Sequence, residues 1–399
     1  MRSAVLATLA LSALGGCGGD PNQNSMLAAV PDGGAYPTPT PVGPVPDGSA
    51  PTGLHAVGNQ IQDGSGQTIV LHGANRSGTE YKCVQTATTM FDGPFDEPSV
   101  AAIASWKLNA VRVPLNESCW LNINGAPALT SGAYYKNAIV AYVALLHRYG
   151  LIPIVELHWV GPGATLATRQ QTMPDADHAP AFWTDVATTF ASDTGVIFEP
   201  YNEPYPDSNH DTDAGWACWR DGCTVNEAVA TGATPTTYVA AGMQSLVTAI
   251  RNAEAAAAPR GASHLILLGG LEYSNALSQW ITYAPVDGNL GAAWHVYSNN
   301  ACMSENCYDV SPAMVAAAVP LVATEIGESD CAGIFIMPLM QFLDEHASGY
   351  LAWSWNAFGP CVPASGTVRG SPWSLVSSYT TAAPNSDFAN TFYTHVTGL

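Results

Sequence analysis

The chain of 399 residues carries 32 acidic against 12 basic side chains, for a formal net charge of −20, and only 11% of it is charged, against roughly 25% in ordinary soluble domains. So few lysines and arginines exclude a nucleic-acid binder, whose affinity comes from cations displacing counterions off phosphates, and they disfavour an anionic membrane surface as partner. A hydrophobic content of 47% excludes global disorder and suffices for one large domain or two ordinary ones.

Residues 1–16 have the parts of an export signal: Arg2, the apolar run Ala4 to Leu14, and small residues before a break. The run is too short to span a bilayer, which takes about 20 residues. Leu14-Gly15-Gly16-Cys17 resembles a bacterial lipobox, which implies lipidation of Cys17 and a protein at the cell envelope or outside it, attached to membrane only through that lipid. Residues 17–52 are rich in Pro and Gly, as in Pro37-Thr38-Pro39-Thr40-Pro41, and lack Lys and Arg. Such a stretch cannot bury a core and favours extended polyproline geometry, so it reads as a semi-rigid tether ahead of a domain at 53–399.

Leu54 to Gly66, with Asp63-Gly64-Ser65-Gly66 as its turn, predicts a β-hairpin. Eight short β-rich apolar runs follow: Ile69–Ala74, Ala110–Leu115, Ile152–His158, Val196–Tyr201, Leu265–Leu271, Ala292–Tyr297, Leu321–Ile326 and Tyr350–Trp355. Between them lie helical patterns at Val100–Lys107, Tyr134–Arg148, Pro180–Ala191, Thr236–Ala256, Pro312–Val319 and Phe335–His346, and a last one spans Asp387–Val396. Strands such as Leu265-Ile266-Leu267-Leu268 are apolar at successive positions, as parallel strands buried on both faces must be. Eight βα units predict an α/β fold, a (β/α)8 TIM barrel, with an open doubly wound sheet as the runner-up. No GxGxxG follows the first strand to support a nucleotide cofactor.

Of nine cysteines, eight remain once Cys17 is set aside, an even number in a chain bound for an oxidising compartment. Cys218 with Cys223 and Cys302 with Cys307 are the simplest bridges. Cys83, Cys119, Cys331 and Cys361 remain, and Cys83 to Cys119 with Cys331 to Cys361 is one of their pairings. Zinc is disfavoured, because there is no CxxC pair.

In a parallel barrel the chemistry gathers where strands end at their carboxyl side. There the chain places Arg112, His158, Asn202-Glu203-Pro204, His295-x-Tyr297, Thr324-Glu325-Ile326-Gly327 and Trp353-Ser354-Trp355. One such group is ordinarily a satisfied structural residue, but polar or aromatic groups at six strand ends are hard to explain by packing. Glu203 and Glu325 close the fourth and seventh strands, able to face each other across the mouth. Cleaving a glycosidic bond takes such a pair: one carboxyl protonates the departing oxygen and the other attacks, or activates water.

With these motifs the chain resembles glycoside hydrolase family 5, the cellulase-type retaining barrel enzymes. The matching residues include Val111-Arg112-Val113-Pro114, Glu156-Leu157-His158, Asn202-Glu203-Pro204, His295-Val296-Tyr297, Thr324-Glu325-Ile326-Gly327, Ala352-Trp353-Ser354-Trp355 and the opening Leu71-His72-Gly73-Ala74-Asn75-Arg76-Ser77-Gly78. The resemblance implies Glu203 as acid/base and Glu325 as nucleophile. The acid needs a raised pKa, to which a charged Glu325 contributes, while Glu325 must stay ionised. By the same resemblance Arg112 and Tyr297 hydrogen-bond Glu325, Asn202 binds the sugar 2-hydroxyl, and His158 and His295 line the central subsite. Trp353, rather than Trp355, stacks on the sugar. The implied substrate is a polysaccharide, a β-1,4-glucan of the cellulose type, with β-mannan or another β-glucan as the alternative. A non-catalytic glycan-binding surface lipoprotein is the reading from another class. No cofactor is implied, and monomer is the default.

Rival carboxylates are weaker. Glu328 falls past Gly327 in the loop, and Glu199 lies deeper on its strand and reads as structural. Glu156 could pair with His158 around a metal, but no third ligand has suitable spacing. Asp207-x-Asn209-x-Asp211 matches the start of a calcium loop, yet Thr212 and Cys218 stand where Gly and Glu are needed. Neither GxSxG nor HExxH occurs, which removes the common serine-hydrolase and zinc-peptidase readings.

Overall fold

The computed structural model describes residues 49–231, 233–257, 263–359, 361–364, 367–369 and 371–399. The export signal, Cys17 and nearly all of the tether lie outside the described residues.

Eight parallel strands close into a barrel: β1 (His72–Asn75), β2 (Ala110–Asn116), β3 (Ile152–Trp159), β4 (Ile197–Glu199), β5 (Ile266–Gly269), β6 (Leu290–Tyr297), β7 (Leu321–Gly327) and β8 (Gly349–Ala352), each bonded to the next and β8 to β1. Helices return the chain outside it: α1 (Glu97–Ala104), α2 (Ala133–Arg148), α3 (Ala179–Phe190), α4 (Met243–Ala257), α5 (Ser311–Ala318), α6 (Ile336–Glu345) and α7 (Asp387–Gly398). The open-sheet alternative is thereby excluded. In α2 the buried side chains Tyr135, Ile139, Tyr142, Val143 and Leu146 recur at helical spacing, so one stripe packs inward. The start of α1 is fixed by the Asp96 carboxylate, which accepts from Ser99 N, and α7 begins with Ser386 accepting from Ala389 N.

Three expectations change. The N-terminal hairpin is a three-stranded antiparallel sheet, His55–Val57, Gln60–Gln62 and Thr68–Ile69, and the Asp63–Gly66 turn joins its second and third strands. The run Ile69–Ala74 is accordingly divided between that sheet and β1. The helix expected over Thr236–Ala256 starts only at Met243. Ahead of it Thr237–Val239 pairs with Thr224–Asn226, its β-branched and aromatic residues alternating exposed and buried. Gly242 seals this junction, because a Cβ there would stand 2.3 Å from Arg220 O.

Strand pleating sorts the interior. Ala110, Ile152, Ile154, Ile197, Leu267, Ala293, Val322 and Leu351 form an apolar plug in the lower barrel, which Ala50, Leu54 and Ile61 close from below. Continuing upward at the same pleat parity come Arg112, Glu156, His158, Glu199, His295 and Tyr297, so alternation alone turns these side chains inward. On β7 the register against β6 slips between Ala293/Val322 and His295/Glu325. One extra residue on β7 lets Thr324 and Glu325 both face the axis, as a β-bulge does. The second glycine that matters is Gly73 on β1, where a Cβ would stand 2.3 Å from Ala110 O.

Four disulfides join Cys83–Cys119, Cys218–Cys223, Cys302–Cys307 and Cys331–Cys361. Cys83–Cys119 closes a 36-residue separation and ties the β1–α1 loop to the short helix Glu117–Leu121 after β2. Loop-closure entropy assigns a ring of that size about 4 kcal/mol and the five-residue rings about 2 kcal/mol. Replacing Cys83 and Cys119 with Ala should therefore lower unfolding free energy by up to about 4 kcal/mol, and replacing Cys218 and Cys223 by about half as much, as read from denaturant midpoints.

Candidate active site

At the upper end of the barrel a fully buried arginine organises the polar layer. Arg112 Nε and Nη2 donate to the two carboxylate oxygens of Glu199 at 2.7 and 3.1 Å. Its Nη1 donates to Glu325 Oε1 at 2.6 Å and Asn75 Oδ1 at 3.0 Å, and Nη2 also reaches Asn202 Oδ1 at 2.8 Å. All five N–H donors of the guanidinium are thus used. Burial works against its charge, but Glu156, Glu199 and Glu325 around it raise its pKa well above the ordinary value.

Glu325 is buried at the end of β7. Tyr297 donates its hydroxyl to Glu325 Oε2 at 2.5 Å, and His295 Nδ1 stands 3.6 Å from the same oxygen. Burial alone would raise the Glu325 pKa, yet the charges of His295, Arg112 and His158 and the Tyr297 hydroxyl hold it below the usual glutamate value. Glu203, in the loop after β4, accepts from His295 Nδ1 at 2.9 Å, and its side chain is 20% exposed against 3% for Glu325. One carboxylate therefore stays ionised deep in the barrel while the other reaches the mouth. An oxygen of Glu203, one of Glu325 and a nitrogen of His295 all lie within 4.8 Å of one another. Carboxylates that close leave no space for the water an inverting hydrolase places between them.

His295 links the layer. Burial pulls its pKa down, but Glu325, Glu199 and Glu203 outweigh this and push it up to about 9, so it is an imidazolium at neutral pH. Its Nε2 lies 3.1 Å from Thr324 Oγ1, and that hydroxyl donates to Glu199 Oε1 at 3.1 Å. His158 bonds through Nδ1 to Glu156 Oε1 at 2.5 Å, and its other nitrogen, Nε2, lies 3.5 Å from Asn202 Nδ2. Burial lowers the His158 pKa, and Glu156 more than restores it, so the net shift is upward. Trp353 lies nearly parallel to the His158 ring at 5.6 Å, whereas Trp355 is packed edge-on against Trp106 in the core.

All eight residues expected in the barrel site (Arg112, His158, Asn202, Glu203, His295, Tyr297, Glu325 and Trp353) converge here. Glu328 does not: its Oε1 accepts from Phe335 N instead. Asp207 is engaged with Thr212 Oγ1 at 2.5 Å in the loop after β4. Asn75 and Thr324 stood in the quoted motifs without a role of their own, and Gln170 was missed from the sequence. Gln170 accepts from Asn202 Nδ2 at 2.5 Å and donates to Glu203 O at 2.8 Å from a loop with no recognisable motif.

The raised His295 and lowered Glu325 each contribute to how stability responds to pH. A group whose folded pKa is above its unfolded value near 6.5 stabilises fully below that value and loses its contribution as pH rises through about 9. Glu325, lowered from 4.5, contributes above that value and loses its contribution as pH falls below it. Melting temperature should therefore decline between pH 6.5 and 9, and His295→Gln should flatten that decline.

The sequence model described as Cellulase (glycosyl hydrolase family 5) matches residues 74–359. Curated proteins yield no sequence match. Among solved structures, a β-glucanase from Saccharophagus degradans in complex with cellotetraose is similar at 16% identity and TM-score 0.61, over 91% of this chain and 97% of its own. The catalytic domain of Thermobifida fusca endoglucanase Cel5A matches at 16% identity and TM-score 0.53, over 86% and 96%. A mannanase catalytic domain from Streptomyces sp. SirexAA-E matches at 20% and 0.53, over 86% and 90%. Identities this low speak for the shared barrel, and the family match covers most of the chain. This chain belongs to glycosyl hydrolase family 5 and is a retaining glycoside hydrolase.

Proposed function

We propose that this enzyme is an exported, lipid-tethered endo-β-1,4-glucanase in which Glu325 is the nucleophile and Glu203 the acid/base. The observation that carries the reading is the approach of the two carboxylates, within 4.8 Å, with the deeper one held ionised by Arg112 and His295. In the first step a Glu325 oxygen bonds to the anomeric carbon as the glycosidic C–O bond breaks, and Glu203 gives its proton to the departing oxygen. In the second, Glu203 takes a proton from water, whose oxygen replaces Glu325 at the anomeric carbon.

Asn202 has its carbonyl oxygen committed to Arg112 and one amide N–H to Gln170, so its second N–H is the one left to bond a sugar hydroxyl. Trp353, after β8, supports a stacking platform for one sugar. The Tyr205 and Tyr273 rings, 4.6 Å apart and partly exposed, follow β4 and β5. β8 and β4 stand opposite each other in an eight-stranded ring, so aromatic surface flanks the carboxylates on two sides, as cleavage inside a polymer needs. The β-glucanase solved with cellotetraose supports a glucan on this fold. Export is supported by Arg2 to Cys17 and by four disulfides, which persist in oxidising compartments.

Glu325→Gln keeps an oxygen for the Arg112 bond but provides no nucleophile. Its kcat should fall by about 10⁴-fold or more while circular dichroism still reports a folded barrel, and NMR of early wild-type products should show the β-anomer first. An active variant would sink the assignment of Glu325. On a panel of carboxymethylcellulose, mixed-linkage β-glucan, glucomannan, galactomannan and xylan, reducing-sugar release should be greatest on the first two and absent in Glu203→Gln. Preference for galactomannan would move the substrate to mannan, and glycan binding without turnover would replace the enzyme reading.

A further inference from the structure

Away from the two catalytic carboxylates, the long loop between β3 and α3 encloses a second cluster of titratable groups. Glu117 is the first residue of the short helix after β2, and Asp175 and His178 stand one turn apart at the entrance to α3. Both carboxylates are fully buried. Glu117 Oε2 accepts from Gly161 N at 3.0 Å and Asp175 Oδ1 from His178 N at 2.7 Å. Three further atoms, Glu117 Oε1, Asp175 Oδ2 and His178 Nδ1, have no hydrogen-bond partner among the described residues.

One ligand atom from each of the three residues lies within 4.8 Å of the other two. His178 Nδ1 stands 3.3 Å from Asp175 Oδ1 and 3.8 Å from Glu117 Oε2. Ligands about 2.0–2.1 Å from a tetrahedral zinc are separated by roughly 3.4 Å, so these spacings suit an ion placed between them. Asp177 adds a third carboxylate nearby, its Oδ2 fixed by Gly163 N at 2.8 Å. Burial first, and then the neighbouring Asp175 charge, raise Glu117 well above the usual range, and burial pushes Asp175 up to about 6. A proton on this cluster bridges Asp175 to Glu117 or to Asp177 and relieves their repulsion, but it leaves His178 Nδ1 unpartnered. A cation satisfies all three.

We propose that Glu117, Asp175 and His178 bind one divalent cation of the zinc type, which clamps the β3–α3 loop to the end of β2. The imidazole in the donor set favours zinc or a similar transition ion over calcium and magnesium, which take oxygen ligands. Water or Asp177 completes the fourth position. A surface cavity of about 650 Å³, lined by Gly163, Asp177 and Tyr238 among others, opens beside the cluster and offers the ion a route in. The clamped loop carries Gln170, which bonds to Asn202, so the ion braces the catalytic layer without touching it.

The test is calorimetric titration of the whole chain, stripped with EDTA, using ZnCl2 as the probe. Glu203, His295 and Glu325 also lie within 4.8 Å of one another, so the titration is repeated in Glu203→Gln. One zinc should bind in both proteins and raise the melting temperature, while Ca²⁺ and Mg²⁺ at equal concentration should not. His178→Gln, at a partly exposed position, and Glu117→Gln should each weaken zinc by about 100-fold or more. Co²⁺ bound by the unsubstituted chain should give the intense visible bands of a tetrahedral site, a readout that needs no variant to fold. The proposal is overturned if folded wild-type protein shows no saturable zinc binding in millimolar excess. It is overturned equally if zinc binds His178→Gln undiminished, or if Glu203→Gln abolishes binding.

Discussion

The upper barrel depends on the bonding of Arg112. A guanidinium has five N–H donors in a rigid fork, and taking it out of water is tolerable only when each finds an acceptor. Here the acceptors are Glu199, Glu325, Asn202 and Asn75, from three strands, β1, β4 and β7, and the loop that follows β4. Because one planar group fixes all four, the position of Glu325 is tied to that of Asn202. Removing a partner from such a buried set typically costs 3–5 kcal/mol, since the remaining charge is left without compensation. The network thus constrains structure as well as chemistry.

The charges around it form a graded layer. Arg112 and His295 are cationic, the His158 pKa is shifted upward by Glu156, and Glu156, Glu199 and Glu325 stand among them. The balance holds Glu325 ionised despite burial, as its proposed role of nucleophile requires, while Glu203 is partly exposed. Below lies an apolar plug of Ile, Leu, Val and Ala. The same inward pleat positions therefore supply stability lower down and reactivity higher up.

Support for the layer comes from loops as much as from strands. Gln170 holds both the Asn202 amide and the Glu203 carbonyl, and it sits in a loop fastened by Gly161 to Glu117 and by Ala167 to Asn116 and Ser118. Cys83–Cys119 ties the other side of that short helix to the β1–α1 loop. Whatever orders this region acts on the site through contacts that no strand provides.

The amino-acid sequence by itself determined the eight strands and most of the helices, because parallel buried strands are runs of apolar residues and surface helices repeat at 3.6 residues. It also determined the ordered polar groups at the strand ends, since short motifs such as Asn202-Glu203-Pro204 are contiguous in the chain. It misread Thr236–Gly242, where β-branched residues beside a disulfide loop favoured a strand that helical periodicity obscured. Only the tertiary structure decided that Thr324 and Glu325 face inward together, because the register shift on β7 depends on pairing with β6. It alone brought Gln170 to Asn202 and Glu117 to Asp175 and His178, residues 32 to 61 positions apart in the chain with no motif between them. Contacts of that kind are set by how the loops pack on a closed barrel, and local periodicity carries no record of them.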